Sequence, residues 1–389
     1  MSGKLEIHDI KRIAIFRALQ IGDLLVGVPA LRAIRRQFPS AEITLIGLPW
    51  AEAFVRRYQC YLDRFVEFAG YPGIKEVAFD TWRSSKFIEE QRSYGYDLVV
   101  QMHGSGPASN PFALALGGRI TAGYYEGTPP PGLDPAALYP RDEHEVLRNL
   151  GLAALLGCSD LDARLEFPLY EDDYTEAAAL LRRLPHAGRP WIGLHPGARP
   201  QARRWPARYF AELGDELARR FGANIIITGS ADERSTVQKV IASMKAQPLN
   251  VAGETSLGGL AALISKLDLF ISNDTGPAHI ACALDTPSIT IFGPADPRRW
   301  APLDLGRHPI VRFPVACSPC EYEVCPIDHC CLRWLSPAQV LAVAKKHLRY
   351  ASEGNGYRGG EGNMGATRPG SQDGEGNMGC KMDKARRGS

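Results

Sequence analysis

The sequence predicts an α/β fold of two parallel-sheet domains that face each other across a cleft. Three observations lead there. Short apolar runs suited to buried strands alternate with longer stretches of helical periodicity. The alternation starts twice, at Arg12 and at Trp191, each time as a strand followed by a loop and a helix. A break near Pro168–Pro190 separates the two runs. Each half therefore reads as Rossmann-like, and ligands of such sheets bind at the carboxyl ends of the strands. The expected division is a first domain at 1–170, a linker at 171–188, a second domain at 189–351 and a tail at 352–389.

In the first half, Arg12–Phe16 reads as a strand, Arg17–Gly22 as a loop and Asp23–Phe38 as a helix. Leu24, Val28, Leu31 and Ile34 recur at helical spacing and give that helix a buried face. Pro39-Ser40 ends it, and Ile43–Ile46 follows as a strand. Further strands are expected at Leu98–Gln101 and near Arg119–Gly123. Thr128–Pro135, rich in proline, reads as a surface loop. Helix Glu143–Leu156 closes this half.

In the second half, strand Trp191–His195 leads to helix Ala207–Phe221, strand Asn224–Thr228 and helix Glu233–Lys245. A short strand at Asn250–Val251, helix Leu257–Ser265, strand Leu269–Ser272, helix Gly276–Leu284 and strand Ser288–Phe292 complete it. The tail repeats Gly-Glu-Gly-Asn-Met-Gly at Gly360 and Gly374. It has too little apolar surface to offset its ordering entropy and is expected to be disordered.

Composition narrows the function. The 389 residues are 45% hydrophobic and 23% charged, ordinary for a soluble globular protein. A net charge of +2 argues against nucleic acid as a partner. The pairs Arg35-Arg36 and Arg56-Arg57 read as solvated helix faces, although such pairs could also meet an anionic acceptor. The polar start, Met1 to Ile10, leads into no apolar core of signal-peptide type. No run approaches the ~20 apolar residues of a membrane span. A cytoplasmic location is expected, with any membrane contact peripheral.

Four segments carry chemistry. In Ile271–His279 a strand ends and a helix begins near Gly276. Helix-start amides and the helix dipole favour an anion, so Asp274, Thr275 and Gly276 outline a phosphate site that His279 could reach from one turn on. The plainer alternative makes Asp274 or Thr275 an N-cap and His279 a core residue. The second segment is His195-Pro196-Gly197-Ala198 with Arg203-Arg204-Trp205-Pro206. Its arginines could grip a diphosphate or simply be solvated on a surface loop. In the third, Arg17–Asp23, Gly22 permits a tight turn and Asp23 could take a proton from an attacking hydroxyl, or only cap the helix. That loop has no Gly-x-Gly-x-x-Gly pattern, so nicotinamide binding has little support. The fourth segment offers Ser230 and Glu233, a carboxylate loop able to hold ribose hydroxyls or a capped helix start.

Cys317, Cys320, Cys325, Cys330 and Cys331 fall within fifteen residues, beside His329. The Cys317–Cys320 spacing is that of a zinc knuckle, but no clean second pair follows. Zinc held by Cys317, Cys320, Cys325 and Cys330 is one reading, and reduced thiols packed in a loop are the other.

The ordered set Gly22-Asp23 with Pro29-Ala30-Leu31, His195–Ala198, Arg204-Trp205-Pro206, Asp274–Gly276 with His279, and Phe292-Gly293-Pro294 resembles glycosyltransferase family 9. These are the bacterial heptosyltransferases that build the lipopolysaccharide inner core. The resemblance spans about residues 12 to 340 and implies the GT-B architecture. The first domain would then be the acceptor side and the second would hold the nucleotide-sugar. It implies inverting transfer of a heptose from ADP-heptose to an inner-core hydroxyl, with no cofactor required. Asp23 matches the family's proposed general base, and Asp274–Gly276 with His279 match its donor-phosphate site. Arg203 falls where many members carry a lysine. The acceptor would be a glycolipid or glycan, met at the inner face of the cytoplasmic membrane. The alternatives are a GT-B enzyme with another nucleotide-sugar and a non-lipopolysaccharide acceptor, an inactive nucleotide-sugar-binding protein, and a metal-binding module built on the cysteines.

Overall fold

The computed structural model describes residues 10–184 and 190–354. Their backbone forms two compact units, one ending at Arg164 and the other beginning at Leu165.

The first unit runs β1 (Arg12–Phe16), α1 (Ile21–Gln37), β2 (Glu42–Gly47), α2 (Ala51–Arg57), β3 (Arg64–Glu67), α3 (Thr81–Tyr94), β4 (Leu98–Gln101), α4 (Ser109–Ala115), β5 (Ile120–Tyr125), β6 (Leu133–Leu138) and α5 (Glu145–Leu155). The sheet order is β3-β2-β1-β4-β5-β6, and every pairing is parallel. That order reverses direction between β1 and β4, which is the switch point of a doubly wound sheet. Both faces are covered, so the consecutive residues Ile13, Ala14, Ile15 and Phe16 are all fully buried, without the polar alternation of a half-exposed strand.

Two expectations need correction here. The proline-rich stretch expected as a loop contributes β6, which includes Pro135. β6 is the last strand of its sheet, and an edge is where a strand tolerates a residue with no N–H. Arg35 is not on a solvated face. It is buried, donates to Ala41 O at 2.6 Å and Tyr61 O at 3.2 Å, and pairs with Asp63, which itself accepts Ile43 N at 2.9 Å. Arg36 and Arg56 are the exposed members, paired with Asp160 and Glu52.

The second unit runs α6 (Glu171–Leu181), β7 (Trp191–His195), α7 (Ala207–Phe221), β8 (Asn224–Ile227), α8 (Arg234–Ser243), β9 (Leu249–Asn250), α9 (Leu257–Ile264), β10 (Leu269–Asn273), α10 (Gly276–Ala283), β11 (Ser288–Phe292), α11 (Pro297–Trp300), β12 (Ile310–Arg312), α12 (Cys330–Arg333) and α13 (Pro337–Gly354). Its sheet, β12-β11-β10-β7-β8-β9, is again all parallel and repeats the first topology, with the switch point between β7 and β10. α7 stops at Gly222, whose φ of 62° suits a residue without Cβ.

The stretch expected as a linker at 171–188 contains α6, which packs on α9. Glu176 of α6 accepts Ser256 N at 2.7 Å and Ser256 Oγ at 2.6 Å, while that hydroxyl caps α9 through Gly259 N. Residues 352–354 of the expected tail belong to α13, and 355–389 lie outside the described residues.

The buried Arg35 network predicts a large cost for its loss. Arg35→Ala leaves the Asp63 carboxylate and several carbonyls without their cation, and should destabilise the chain by about 3–5 kcal/mol in urea denaturation. Arg56→Ala, at an exposed pair, should cost no more than about 1 kcal/mol. Equal costs for the two would refute the burial argument.

Candidate functional site

At the switch point of the second sheet, the loops after β7, β8 and β10 rise from the same end. β7 finishes at His195, which is buried. Its Nδ1 lies 2.9 Å from Thr228 Oγ1, and its Nε2 lies 3.6 Å from Glu233 Oε2. Burial lowers the His195 pKa, and the Glu233 carboxylate opposes that shift. Glu233 also accepts Ser230 N at 2.8 Å, which caps the 3-10 turn Ala231–Glu233. Gly197 lies against it, and a Cβ there, 2.1 Å from Glu233 Oε1, would push the carboxylate out of its present place.

The loop from Pro196 to Pro206 carries the two arginines. A 3-10 turn, Gln201–Arg203, aims Arg203 at Asp274, with Nη1 to Oδ2 at 3.0 Å. Asp274 is buried, whereas the Arg203 side chain keeps 33% of its exposure. Arg204 turns back on the loop and donates from Nε to Ala198 O at 2.7 Å. Trp205 is buried, and its indole N–H donates to Leu335 O at 2.9 Å.

α10 begins at Gly276, immediately after the Arg203–Asp274 pair. Thr275 is its extended N-cap and makes no side-chain cap bond. The amino end of α10 and the Arg203 guanidinium thus bring positive potential to one place. His279, one turn on, is buried with its ring centroid 6.2 Å from that of Trp300. His195, Pro196, Gly197, Arg203, Ser230, Glu233, Asp274, Thr275 and Gly276 therefore gather at one end of the second sheet.

Gly22 and Asp23 belong to the first unit. α1 starts at Ile21, two residues earlier than expected, so Asp23 is its third residue and not its N-cap. One carboxylate oxygen accepts Gln20 N at 3.2 Å. Arg17, also buried, donates from Nε and Nη2 to Asp23 O at 3.0 and 2.9 Å and from Nη1 to Asn149 Oδ1 at 3.1 Å. Burial lowers the Arg17 pKa, and the nearby charges of Asp23 and Glu145 oppose that shift.

Sequence reasoning missed two groups. His103, just past β4, accepts Ala18 N on Nδ1 at 3.3 Å, stacks on Phe16 and lies 3.5 Å from Glu76 Oε2 through Nε2. With Nδ1 accepting a backbone N–H, Nε2 is the ring nitrogen that donates towards Glu76. The bond from His103 holds the Glu76 carboxyl below its ordinary pKa, against the opposing effect of burial. A histidine at the carboxyl end of a switch-point strand was the available signal. The other missed group is Asn273, the last residue of β10.

The cysteine segment lies against the Arg203 turn. Ala202 N donates to Glu323 O at 3.0 Å, Ala202 O meets His329 Nε2, and Cys320 N donates to Pro294 O at 2.8 Å. Cys317, Cys320, Cys325, Cys330 and Cys331 are free thiols. Burial, helped by the sulfurs of Cys325, Cys317 and Cys320, pushes the Cys331 thiol up to about 11. Among the described residues, no group of three or more His, Cys, Asp or Glu side chains is placed to hold a metal ion.

The profile of glycosyltransferase family 9 (heptosyltransferase) matches residues 84–330. The chain is 35% identical over 297 residues to lipopolysaccharide heptosyltransferase 2 of Salmonella typhimurium, covering 73% of this chain and 83% of that one. It is 25% identical over 339 residues to lipooligosaccharide heptosyltransferase 2 of Campylobacter jejuni, covering 85% and 96%. The solved ADP-heptose lps heptosyltransferase II of E. coli has the same fold, with a TM-score of 0.68 at 21% identity over 88% of this chain and all of that one.

The His195 environment predicts a pH dependence. A histidine whose folded pKa is lowered binds fewer protons when folded than when unfolded. Stability is therefore full above the ordinary histidine pKa of ~6.5 and falls as pH drops towards the folded value. In melting curves from pH 8 to 5, His195→Gln should lose less stability below about pH 6.5 than the unaltered chain. Glu233→Gln removes the charge that favours the imidazolium, so its loss should extend to lower pH. Parallel curves for all three proteins would contradict this assignment.

Proposed function

The chain belongs to glycosyltransferase family 9, and on that footing we propose that it transfers a heptose from ADP-heptose to a hydroxyl of the lipopolysaccharide inner core, with inversion. The observation that carries the reading is the Arg203–Asp274 pair at the start of α10, on the switch point where such sheets receive nucleotides.

In this reading the donor pyrophosphate lies over the first turn of α10. Arg203 and the helix-start amides take up the negative charge of the departing ADP, and His279 contributes from one turn on. Arginine in place of lysine presents a planar fork, suited to two phosphate oxygens at once. Glu233, set by Ser230 and His195, would receive the ribose hydroxyls. Asp23 would remove the proton of the acceptor hydroxyl as its oxygen attacks the anomeric carbon. The new carbon–oxygen bond forms on one face while the bond to phosphate breaks on the other, and ADP leaves with the bonding pair. Helix and guanidinium charge meet the leaving diphosphate in this reading.

An inner-core acceptor is a glycolipid, so the same reading puts the enzyme at the inner face of the cytoplasmic membrane through peripheral contact. No helix among the described residues is long and apolar enough to cross a membrane.

The test combines binding and turnover. Among ADP-, UDP-, GDP- and dTDP-sugars, ADP-heptose at a hundred times its Kd should stabilise the chain by about 2.7 kcal/mol in a thermal-shift assay. A stronger response to another donor would favour a different GT-B transferase. Asp23→Ala should keep the ADP-heptose shift and lower kcat by about 10²–10⁴-fold. Undiminished turnover would remove Asp23 from the mechanism, and binding without turnover in the unaltered chain would favour an inactive binder.

A further inference from the structure

We propose that Asn273 is a positioning residue for the donor: it closes the neck of the Arg203 loop and so holds the guanidinium where the diphosphate arrives. The inference rests on the phosphate role given to Arg203 above.

Asn273 ends β10 and is fully buried. Its Oδ1 accepts Trp205 N at 3.0 Å, from the far end of the loop. Its Nδ2 donates to Pro196 O at 2.9 Å and Gly197 O at 3.2 Å, at the near end. One side chain thus bonds both ends of the segment between β7 and α7. The bonds cross from the strand on the other side of the switch point, about 70 residues later in the chain.

The chemistry singles out a primary amide. The neck presents two carbonyls and one N–H to the same buried point, so its partner must donate twice and accept once. A carboxylate would satisfy Trp205 N but turn lone pairs towards two carbonyls. An alanine would leave three buried backbone groups without a partner. The next residue, Asp274, pairs with Arg203 near the tip of the same loop. Two consecutive residues therefore hold the loop at its neck and at its cation. Trp205 has separate anchorage through Leu335 O, so losing Asn273 should chiefly release the stretch that carries Arg203.

The experiment is a double-mutant cycle read by calorimetric binding of ADP to the full chain, with melting temperatures recorded for each variant. Arg203→Ala and Asn273→Ala should each weaken ADP binding by about tenfold or more. In the Arg203→Ala background, Asn273→Ala should cost less than about twofold further, because the group it positions is gone. Asn273→Ser, which has one O–H to donate where the amide has two N–H, should fall between alanine and the unaltered chain, and it replaces alanine in the cycle if alanine does not fold. Additive losses, or a lowered melting temperature with ADP affinity unchanged, would overturn the proposal. If Arg203→Ala alone bound ADP normally, the phosphate role of Arg203 would fail and this inference with it. Full Arg203 dependence without coupling to Asn273 would defeat this inference alone.

Discussion

Backbone groups at the ends of parallel strands need partners outside the sheet ladder, and in both units single side chains beside the switch point supply them. At the amino ends the two units meet this need alike. Asp97, just before β4, accepts Lys11 N and Arg12 N at 2.8 and 3.0 Å. Asp268, just before β10, accepts Trp191 N at 2.7 Å. Each aspartate precedes the strand across the switch point and binds the start of the central one. Their titration differs for a physical reason. Burial would raise both, but two backbone donors and Arg119 hold Asp97 below its ordinary value, whereas the single donor at Asp268 leaves burial dominant. At the carboxyl end of the second sheet the same demand falls on Asn273, and meeting it places a loop that carries a cation.

Much of this architecture was legible because the apolar pattern of a doubly buried strand is hard to mistake. Helix Ala207–Phe221 and strands Trp191–His195 and Ser288–Phe292 lie where periodicity puts them, since Gly222, Pro287 and their neighbours mark the ends. What escaped reading depends on partners distant in sequence. Pro135 looks like a loop residue until β6 is known to be an edge. Glu171, Asp172 and Asp173 are a fair helix-start signal, but α6 is tied to the second unit by contacts distant in sequence, with Ser256 donating to Glu176 and Lys266 lying over the Tyr174 ring. Arg35 reads as one of a basic pair, and nothing local reveals Asp63 and Ala41 O around it. Asn273 stood inside the most informative segment, yet its partners are three backbone atoms about 70 residues earlier. Composition and spacing carry no trace of such bonds.

The pairing of Arg203 with Asp274 changes how the cation should be understood. A guanidinium on a solvated loop would be mobile, and holding it for a diphosphate would cost side-chain entropy on every binding event. Paired with a buried carboxylate, it is partly ordered beforehand. The carboxylate also lies next to where anionic oxygens would come, so a ligand must outweigh its repulsion through the α10 amides and the remaining guanidinium donors. Such a balance favours a diphosphate with several oxygens over a single carboxylate or a small anion, because only the former can engage the fork and the helix start together.

The cysteine segment completes this account from the other side of the loop. Glu323 O and His329 Nε2 hold the N–H and C=O of Ala202, one residue before Arg203. The 3-10 turn is thus gripped by the cysteine segment on one flank and by Asp274 on the other. Cys331 is buried in the core of the second unit, where burial pushes its thiol up to about 11 and it packs as a small hydrophobe. The segment from Cys317 to His329 has neither helix nor strand, and it meets the turn through the Glu323 carbonyl and the His329 ring. Neck, flank and ion pair hold one loop at different points, at Pro196, Gly197 and Trp205, at Ala202, and at Arg203, which is the preorganisation a cation needs if it is to receive a charged ligand without large reorganisation.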